Sequence, residues 1–435
     1  MLVTIVLGGT ATTSNAQEGG SFVLVPEGDI AVDDGPARLT RLRVLQVVTL
    51  VSGVGAFGGP TKVAVSQCEA LNARGHDTLL VGGSTDLPLS TSRMGAASVR
   101  LFPTRRIAGS KPMAYLWSPS MVRWLWRHVG DFDVVHVHLA RDGVALAAAL
   151  IARLRGRPYV VQTHGMVNPR SEIAQRAVDL LATRRVLRRA ATVFALRTEE
   201  IGQLTEVLGA PRRIDLLPNG IALPPAAAVA SLSNGPEFLF LARLHPRKRA
   251  LVFVEAAAAL LSTGLQASFT LVGPDEGEGA AVRSAIAEFA ARHPRRADAL
   301  RWTGPLAPEE IAARMAAAYA YVLPSVDEPF PMTVLEAMAA GKPVIVTDSN
   351  GLAGAIRDYG AGIVVPGDSA QALVEAMQRL ASEPTLAEQM GRHALAAVRE
   401  KFSIDAVADT LEGRYRAATT TTRAIHPAQR EESHG

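Results

Sequence analysis

The sequence predicts an α/β chain of two Rossmann-like, doubly wound halves that face each other across a cleft. Three observations predict it. Short apolar runs alternate with Ala- and Leu-rich helical stretches, the pattern of a parallel sheet covered on both faces. A segment rich in Pro and small residues, "LPNGIALPPAAAVASLSNGP", interrupts that alternation once. At 435 residues the chain also exceeds what one ordinary core holds.

In the first half "RVLQVVTLVS" reads as a buried strand, followed by the loop "GVGAFGGP" and a helix from about Thr61. The strands "DTLLVGG", "DVVHVHL", "PYVVQTH" and "TVFAL" come next. After the break the series resumes with "EFLFLARL", "SFTLVG", "RWTG", "AYVLPS", "PVIVTD" and "GIVVP". These limits place one domain at 43–222 and a second at 235–400. Residues 1–42 read as an irregular extension, and 419–435 as a polar, disordered tail.

Apolar residues make up 48% and charged residues 20%, as in a globular enzyme. The single cysteine excludes a disulfide framework; Cys68 shares a helical face with Ala64 and Leu71 and reads as core. No apolar run reaches the roughly 18 residues a membrane span needs. The opening "MLVTIVLGGTATTSNA" lacks the basic start of a signal peptide, so a cytoplasmic protein is expected. Charge is unevenly shared: 43–222 holds 23 Lys and Arg against 12 Asp and Glu, and 223–435 holds 20 against 24. A basic half beside an acidic one points to an anionic surface or substrate for the first.

Gly53, Gly55 and Gly58 form G-x-G-x-x-G between a strand and a helix. The second strand ends in Gly82-Gly83 rather than the acid that a dinucleotide binder needs, so an NAD-dependent oxidoreductase is a poor reading. We read Gly58 and Gly59 instead as letting backbone amides approach a phosphate or sugar. Asp131 and Asp133 resemble the metal-binding Asp-x-Asp of some sugar transferases, but their place before "VVHVHL" fits the polar lip of a strand. His136 and His138 share a strand face without further ligands at metal spacing, and no metal is expected.

In "LARLHPRKRALVFVEAAAALL", Arg243 falls near a strand end and Lys248 where the next helix begins. Two cations beside free helix N–H groups make an anion site, able to neutralise a diphosphate without a metal. Further on, "DEPFPMTVLEAMAAGKPVIVTD" places Glu328 on a strand-to-helix loop and Glu336 about one turn into the helix. In a parallel sheet that loop lies at the carboxyl ends of the strands, where ligands bind. Carboxylates accept hydrogen bonds from hydroxyls, so Glu328 suits a transferred sugar and Glu336 a ribose.

Together "DVVHVH", "THGM", "LPNGI", "ARLHPRKR", "LVGPDEGE", "RWTGPL", the Gly58-Gly59 loop and the Glu328–Glu336 pair resemble the retaining glycosyltransferases of family 4, from Arg43 to about Tyr415. The resemblance implies the GT-B fold, with a last helix, here 401–418, crossing back onto the first domain. It implies a nucleoside diphosphate sugar as donor, with Arg243 and Lys248 on the diphosphate, Glu328 on the sugar, Glu336 on the ribose and His164 beside the donor sugar. Where many relatives have Gly after the Phe of the motif, this chain has Pro331, which offers no N–H. Amides at Phe330 or Met332 remain for the donor, and the identity of the sugar stays open. A nucleotide-sugar isomerase or epimerase, and a non-catalytic nucleotide-sugar-binding subunit, are the alternatives on the same fold.

The expected acceptor is a saccharide, a glycolipid or other lipid-linked molecule, or a small metabolite. "KPMAYLWSPSMVRWLWRHVG" holds three of the four tryptophans; Val122, Leu125, Trp126 and Val129 fit a core-facing stripe, and Met121, Trp124 and His128 another face. With Arg184, Arg185, Arg188 and Arg189, such a surface suits either core packing plus a solvated helix or peripheral contact with anionic lipid at the cytoplasmic membrane face. No nucleic-acid-binding module accompanies the charge.

Overall fold

The computed structural model describes residues 41–51, 58–85, 91–106, 116–169, 179–223 and 235–425. The first half runs β1 (Arg43–Leu50), α1 (Gly58–Ala73), β2 (Asp77–Ser84), β3 (Thr91–Met94), β4 (Ala97–Pro103), β5 (Arg105–Arg106) and β6 (Leu116–Trp117). It continues with α2 (Pro119–His128), β7 (Val134–His138), α3 (Gly143–Leu154), β8 (Tyr159–Gln162), α4 (Arg184–Arg189), β9 (Thr192–Ala195), α5 (Thr198–Leu208) and β10 (Asp215–Leu216). Its main sheet has the order β10-β9-β8-β7-β1-β2-β4-β3, parallel except for the β3–β4 hairpin. That hairpin was not foreseen, nor was the short β5–β6 pair. Gly95 makes its tight turn at φ +59°, in the left-handed region that glycine tolerates.

The second half runs β11 (Glu237–Leu241), α6 (Ala250–Ser262), β12 (Ser268–Val272), α7 (Gly279–Arg292), β13 (Leu300–Trp302), α8 (Pro308–Ala317) and β14 (Ala320–Leu323). Then come α9 (Met332–Ala339), β15 (Val344–Thr347), α10 (Ala353–Tyr359), β16 (Gly362–Val365), α11 (Ala370–Ser382), α12 (Pro384–Ala397) and α13 (Ile404–Ile425). Its sheet is parallel throughout, in the order β13-β12-β11-β14-β15-β16. β11, at the centre, buries Phe238, Leu239 and Phe240 completely, as a strand with helices on both faces must.

The expected returning helix is present, but it starts at Ile404 and continues to Ile425. The reading of 419–435 as disordered is therefore corrected for 419–425. Thr419, Thr420 and Thr421 turn their hydroxyls onto carbonyls one turn back, and Ala418 and Thr419 are buried. Packing and local hydrogen bonds thus offset a weak helix propensity. Val407, Leu411 and Tyr415, at four-residue spacing, pack with Val44, Leu71, Val134 and Phe194 of the first half. Arg74, in the turn just after α1, ties the same helix by ion pairs to Asp405, Asp409 and Glu412. The crossover is locked where Ile221 N–H donates to Phe402 O and Ile404 N–H to Ile221 O, both at 2.9 Å.

At the other end Leu42, assigned to the irregular extension, is buried in the same cluster, and its N–H donates to His76 Nδ1. Cys68 is fully buried in the core, as expected. The α2 stripe is shifted from the expected one. Met121, Leu125 and Val129 are buried, whereas Trp126 faces outward, 48% exposed. The four-residue spacing of 121, 125 and 129 keeps one face inward; including Trp126 would have widened that face past what the sheet covers.

Among the described residues, Tyr415 carries the one hydrogen bond that α13 sends into the buried histidines of β7, 2.7 Å to His136 Nδ1. Tyr415→Phe is expected to leave that nitrogen unsatisfied and lower stability by about 1–3 kcal/mol. Urea denaturation should show a lower midpoint with an unchanged slope.

Candidate active site

Site residues from both halves stand at the carboxyl ends of parallel strands. In the second half a cavity of about 300 Å3 is lined by Arg243, Lys248, Glu328, Phe330 and Met332, with Thr333 beside them. Five predicted residues, 89 positions apart at the extremes, therefore meet in one place. Arg243 follows β11 and Lys248 lies in the turn that leads into α6. Phe330 precedes α9 and Met332 opens it, and the first amides of a helix have no acceptor inside it. Pro331 is buried at the N-cap and supplies none of those donors.

The cations already hold carboxylates. Arg243 makes two 2.8 Å bonds to Glu276, and Lys248 Nζ lies 2.5 Å from Glu328 Oε2. The first pair is exposed and the second largely buried. Glu276 lies within the quoted stretch "LVGPDEGE", but no spacing rule marked it as the partner of Arg243. Arg247 adds a 2.6 Å bond to Asp327 O. Glu328 is fixed by its backbone: it bridges Asn350, and its carbonyl accepts from Gly351 N–H at 2.8 Å. A Cβ on Gly351 would lie 1.7 Å from Pro329 O, so only glycine permits that approach.

Glu336 does not line the cavity; it stands one turn into α9, as predicted. Burial raises its pKa, and Lys62 on α1 pulls it back down, which puts the two within electrostatic range. Both Glu328 and Glu336 act on the buried Tyr321 phenol. Its oxygen lies 3.0 Å from Leu241 O and 2.8 Å from Thr333 Oγ1. The carbonyl can only accept, so the phenol proton goes there and Thr333 donates to Tyr321. Gly58 and Gly59 open α1 three residues earlier than expected. The space around a Cβ at Gly59 is clear. Gly53 and Gly55 lie outside the described residues.

His164 follows β8 in the first half and is not among the residues lining the cavity. Its φ is +51°, an uncommon conformation for a residue with a side chain. Glu200, in the first turn of α5 and fully buried, straddles it. The carboxylate accepts from Thr163 Oγ1 at 2.5 Å, Gly165 N–H at 2.6 Å and Leu196 N–H at 2.6 Å. Sequence reading missed Glu200, whose place in "RTEEIGQL" looks like an ordinary helix N-terminus.

The side chain of His164 is set by a relay. Gln46 Oε1 lies 2.9 Å from His138 Nε2, and His138 Nδ1 lies 2.7 Å from His164 Nε2. With the Gln46 amide so oriented, His138 donates from Nε2 and accepts at Nδ1. His164 then donates from Nε2 and keeps an Nδ1 lone pair. His136 stacks on His138 at 4.5 Å. Burial lowers all three pKa values, those of His136 and His164 to about 3, so the group is neutral near pH 7. Asp131 and Asp133 behave as a strand lip: Asp133 accepts from Arg43 N–H and Asp131 contacts His128. Among the described residues no three His, Cys, Asp or Glu side chains converge as metal ligands do.

Two outcomes follow from these geometries. Glu200→Ala leaves the backbone donors of Gly165 and Leu196 without their carboxylate, while the Thr163 hydroxyl keeps Phe194 O, and is expected to lower stability by about 2 kcal/mol or more, read as a shift in the urea midpoint. The unfolded chain binds protons on the three histidines below about pH 6.5, where the folded chain refuses them. Asp142, buried and raised to about 6, opposes this, because the folded state protonates it first. Stability is therefore expected to fall with acid from about pH 6.5 downward, by a net uptake of up to about two protons on unfolding. Urea unfolding over a pH series gives that slope.

Residues 227–396 match the family described as Glycosyl transferases group 1, and residues 58–220 the Glycosyl transferase 4-like domain. Among curated relatives, D-inositol 3-phosphate glycosyltransferase of Rhodococcus opacus is 31% identical over 68% of this chain and 70% of its own. The protein of that name from Streptomyces scabiei is 30% identical over 68% and 71%. Among solved structures, Anabaena HepE in complex with UDP superposes with TM-score 0.64 at 16% identity, covering 86% of this chain and all of that one. Sucrose-phosphate synthase from Thermosynechococcus elongatus gives 0.60 at 21%, covering 88% and 100%. With two parallel sheets, a helix crossing back and both family matches in their expected halves, the chain belongs to the GT-B glycosyltransferases of the group 1 and GT4-like families.

Proposed function

We propose that this glycosyltransferase moves a sugar from a nucleoside diphosphate sugar to an acceptor hydroxyl, with retention of anomeric configuration and without a resident metal ion. The observation that carries the reading is the meeting of Arg243, Lys248 and Glu328 with the start of α9 in one cavity. An exposed ion pair such as Arg243–Glu276 contributes at most about 1 kcal/mol, so a diphosphate of higher charge exchanges readily for it. Lys248 then turns from Glu328 to the donor phosphate. Glu328 is released to accept from hydroxyls of the sugar, and Glu336 to accept from those of the ribose.

As the bond from the anomeric carbon to the phosphate oxygen breaks, its electron pair passes to the diphosphate. Arg243, Lys248 and the free amides of α9 stabilise that charge, the usual route of electrostatic preorganisation. The acceptor oxygen attacks from the face the diphosphate leaves, and its proton goes to the departing phosphate oxygen, so no protein nucleophile is needed. His164, neutral, offers its Nδ1 lone pair to a donor hydroxyl. UDP is the nucleotide favoured by the HepE complexes with UDP and UDP-glucose. D-inositol 3-phosphate, in the name of the curated relatives, is the acceptor to try first.

UDP is expected to raise the melting temperature more than GDP or ADP, and Arg243→Ala with Lys248→Ala to abolish the rise. Glu328→Gln, or removal of either cation alone, should lower kcat by on the order of 10²–10³. NMR of the product from an α-linked donor should show an α-linkage. A β-product refutes retention, and parent rates in both Glu328→Ala and His164→Ala refute the assignment of those residues.

A further inference from the structure

The opposite edge of the first sheet carries a second feature that sugar transfer does not use. Tyr159 opens β8 and Thr192 opens β9, and both line a cavity of about 570 Å3 at the amino ends of the strands. The edge bearing His164 is the other one. Arg153, Arg157, Arg189, Arg212, Arg213 and Arg414 line this cavity, and Asp215 is the one acidic residue with them. Asp215 is already spent, at 3.0 Å from Arg213 and 2.9 Å from Arg414. Arg212 donates to the carbonyls of Arg188 and Ala190. Arg153, Arg157 and Arg189 have no carboxylate within ion-pair distance among the described residues.

Like charges gathered in a concave wall repel one another, and the arrangement gains free energy when an anion enters. Arg153, Arg212 and Arg189 all act electrostatically on the Tyr159 hydroxyl, which donates to Val186 O at 2.8 Å. The cations thus converge on the cavity rather than fan away from it.

Arg153 and Tyr159 also line a neighbouring apolar groove of about 340 Å3, with Trp117, Leu146, Ala147 and Leu150. Leu146, Leu150 and Leu154 fall on one face of α3, and the last two are 50% and 62% exposed. Beside that helix Trp126 stands outward with the Arg155 guanidinium 5.6 Å from its ring centre. A soluble phosphate has no use for this apolar face. A lipid has, because it offers a phosphate and a hydrocarbon chain side by side, and exposed Trp and Leu beside Arg suit a membrane interface.

We propose that this face binds anionic phospholipid at a membrane surface, the lipid phosphate entering the arginine cavity while apolar chain occupies the groove along α3. The docking stands apart from the proposed donor and acceptor chemistry, since it uses the opposite edge of the sheet.

The test is flotation of the full chain with vesicles of phosphatidylcholine alone and of phosphatidylcholine mixed with phosphatidylglycerol. Binding only to the mixed vesicles, weakened by salt, is expected. Arg153→Ala, Arg157→Ala and Arg189→Ala combined should weaken it by on the order of a hundredfold. Leu150→Ser with Leu154→Ser, on an exposed helix face, should weaken it independently, and both variants should keep sugar transfer to a soluble acceptor. No flotation with the anionic vesicles overturns the proposal, as does equal flotation of the parent and both variants. A melting-temperature rise with inorganic pyrophosphate but no vesicle binding also overturns it, and makes the cavity a site for a soluble phosphate compound.

Discussion

Parallel strands cannot be joined by tight turns; each needs a crossover, and helices serve as crossovers here. One consequence governs the molecule. All the mutually parallel strands of a sheet end at the same edge, so loops far apart in sequence emerge together. Arg243 after β11, Glu328 after β14 and the start of α9 meet for that reason alone. His164 after β8 obeys the same rule in the other sheet. The strands are buried on both faces, and their cores of Val, Leu and Phe make the edges rigid platforms.

Rigidity lets the platform hold unfavourable local arrangements. Among the described residues the non-glycines with positive φ are His164, Arg249 and Asp327. One is a candidate catalytic residue, one follows Lys248 and one precedes Glu328. Such conformations persist only where surroundings over-determine them. Glu200 does so for His164 through three hydrogen bonds, and Arg247 with the Gly351 approach does so around Glu328. The ion pairs of Arg243 and Lys248 are of the same kind, holding charge in place that a diphosphate can take over.

The other edge of the first sheet shows what the same topology does with unspent charge. Strand starts bring Arg157, Arg212 and Arg213 together with Arg153 and Arg189 on neighbouring helices and Arg414 on α13. The net positive charge of the first half is therefore concentrated rather than spread, next to a leucine stripe that the core does not need. Separate edges would let the proposed sugar transfer and the proposed surface docking proceed without competition.

By itself the sequence determined the alternation of strands and helices, because burial on both faces demands short apolar runs. It also marked the strand-end loops that carry Arg243, Lys248 and Glu328, because cations and carboxylates there stand beside apolar runs. It did not reveal Glu200, Glu276 or Lys62, since a carboxylate or ammonium in a helical or loop context looks solvated until its partner from another segment is known. Nor did it mark that α13, packed on the first half through Val407, Leu411 and Tyr415, runs on through 419–425. The arginine cavity was visible only as excess charge. Which of those arginines converge, and against which apolar face, was decided by the tertiary structure, since contacts between segments this distant leave no period in the sequence.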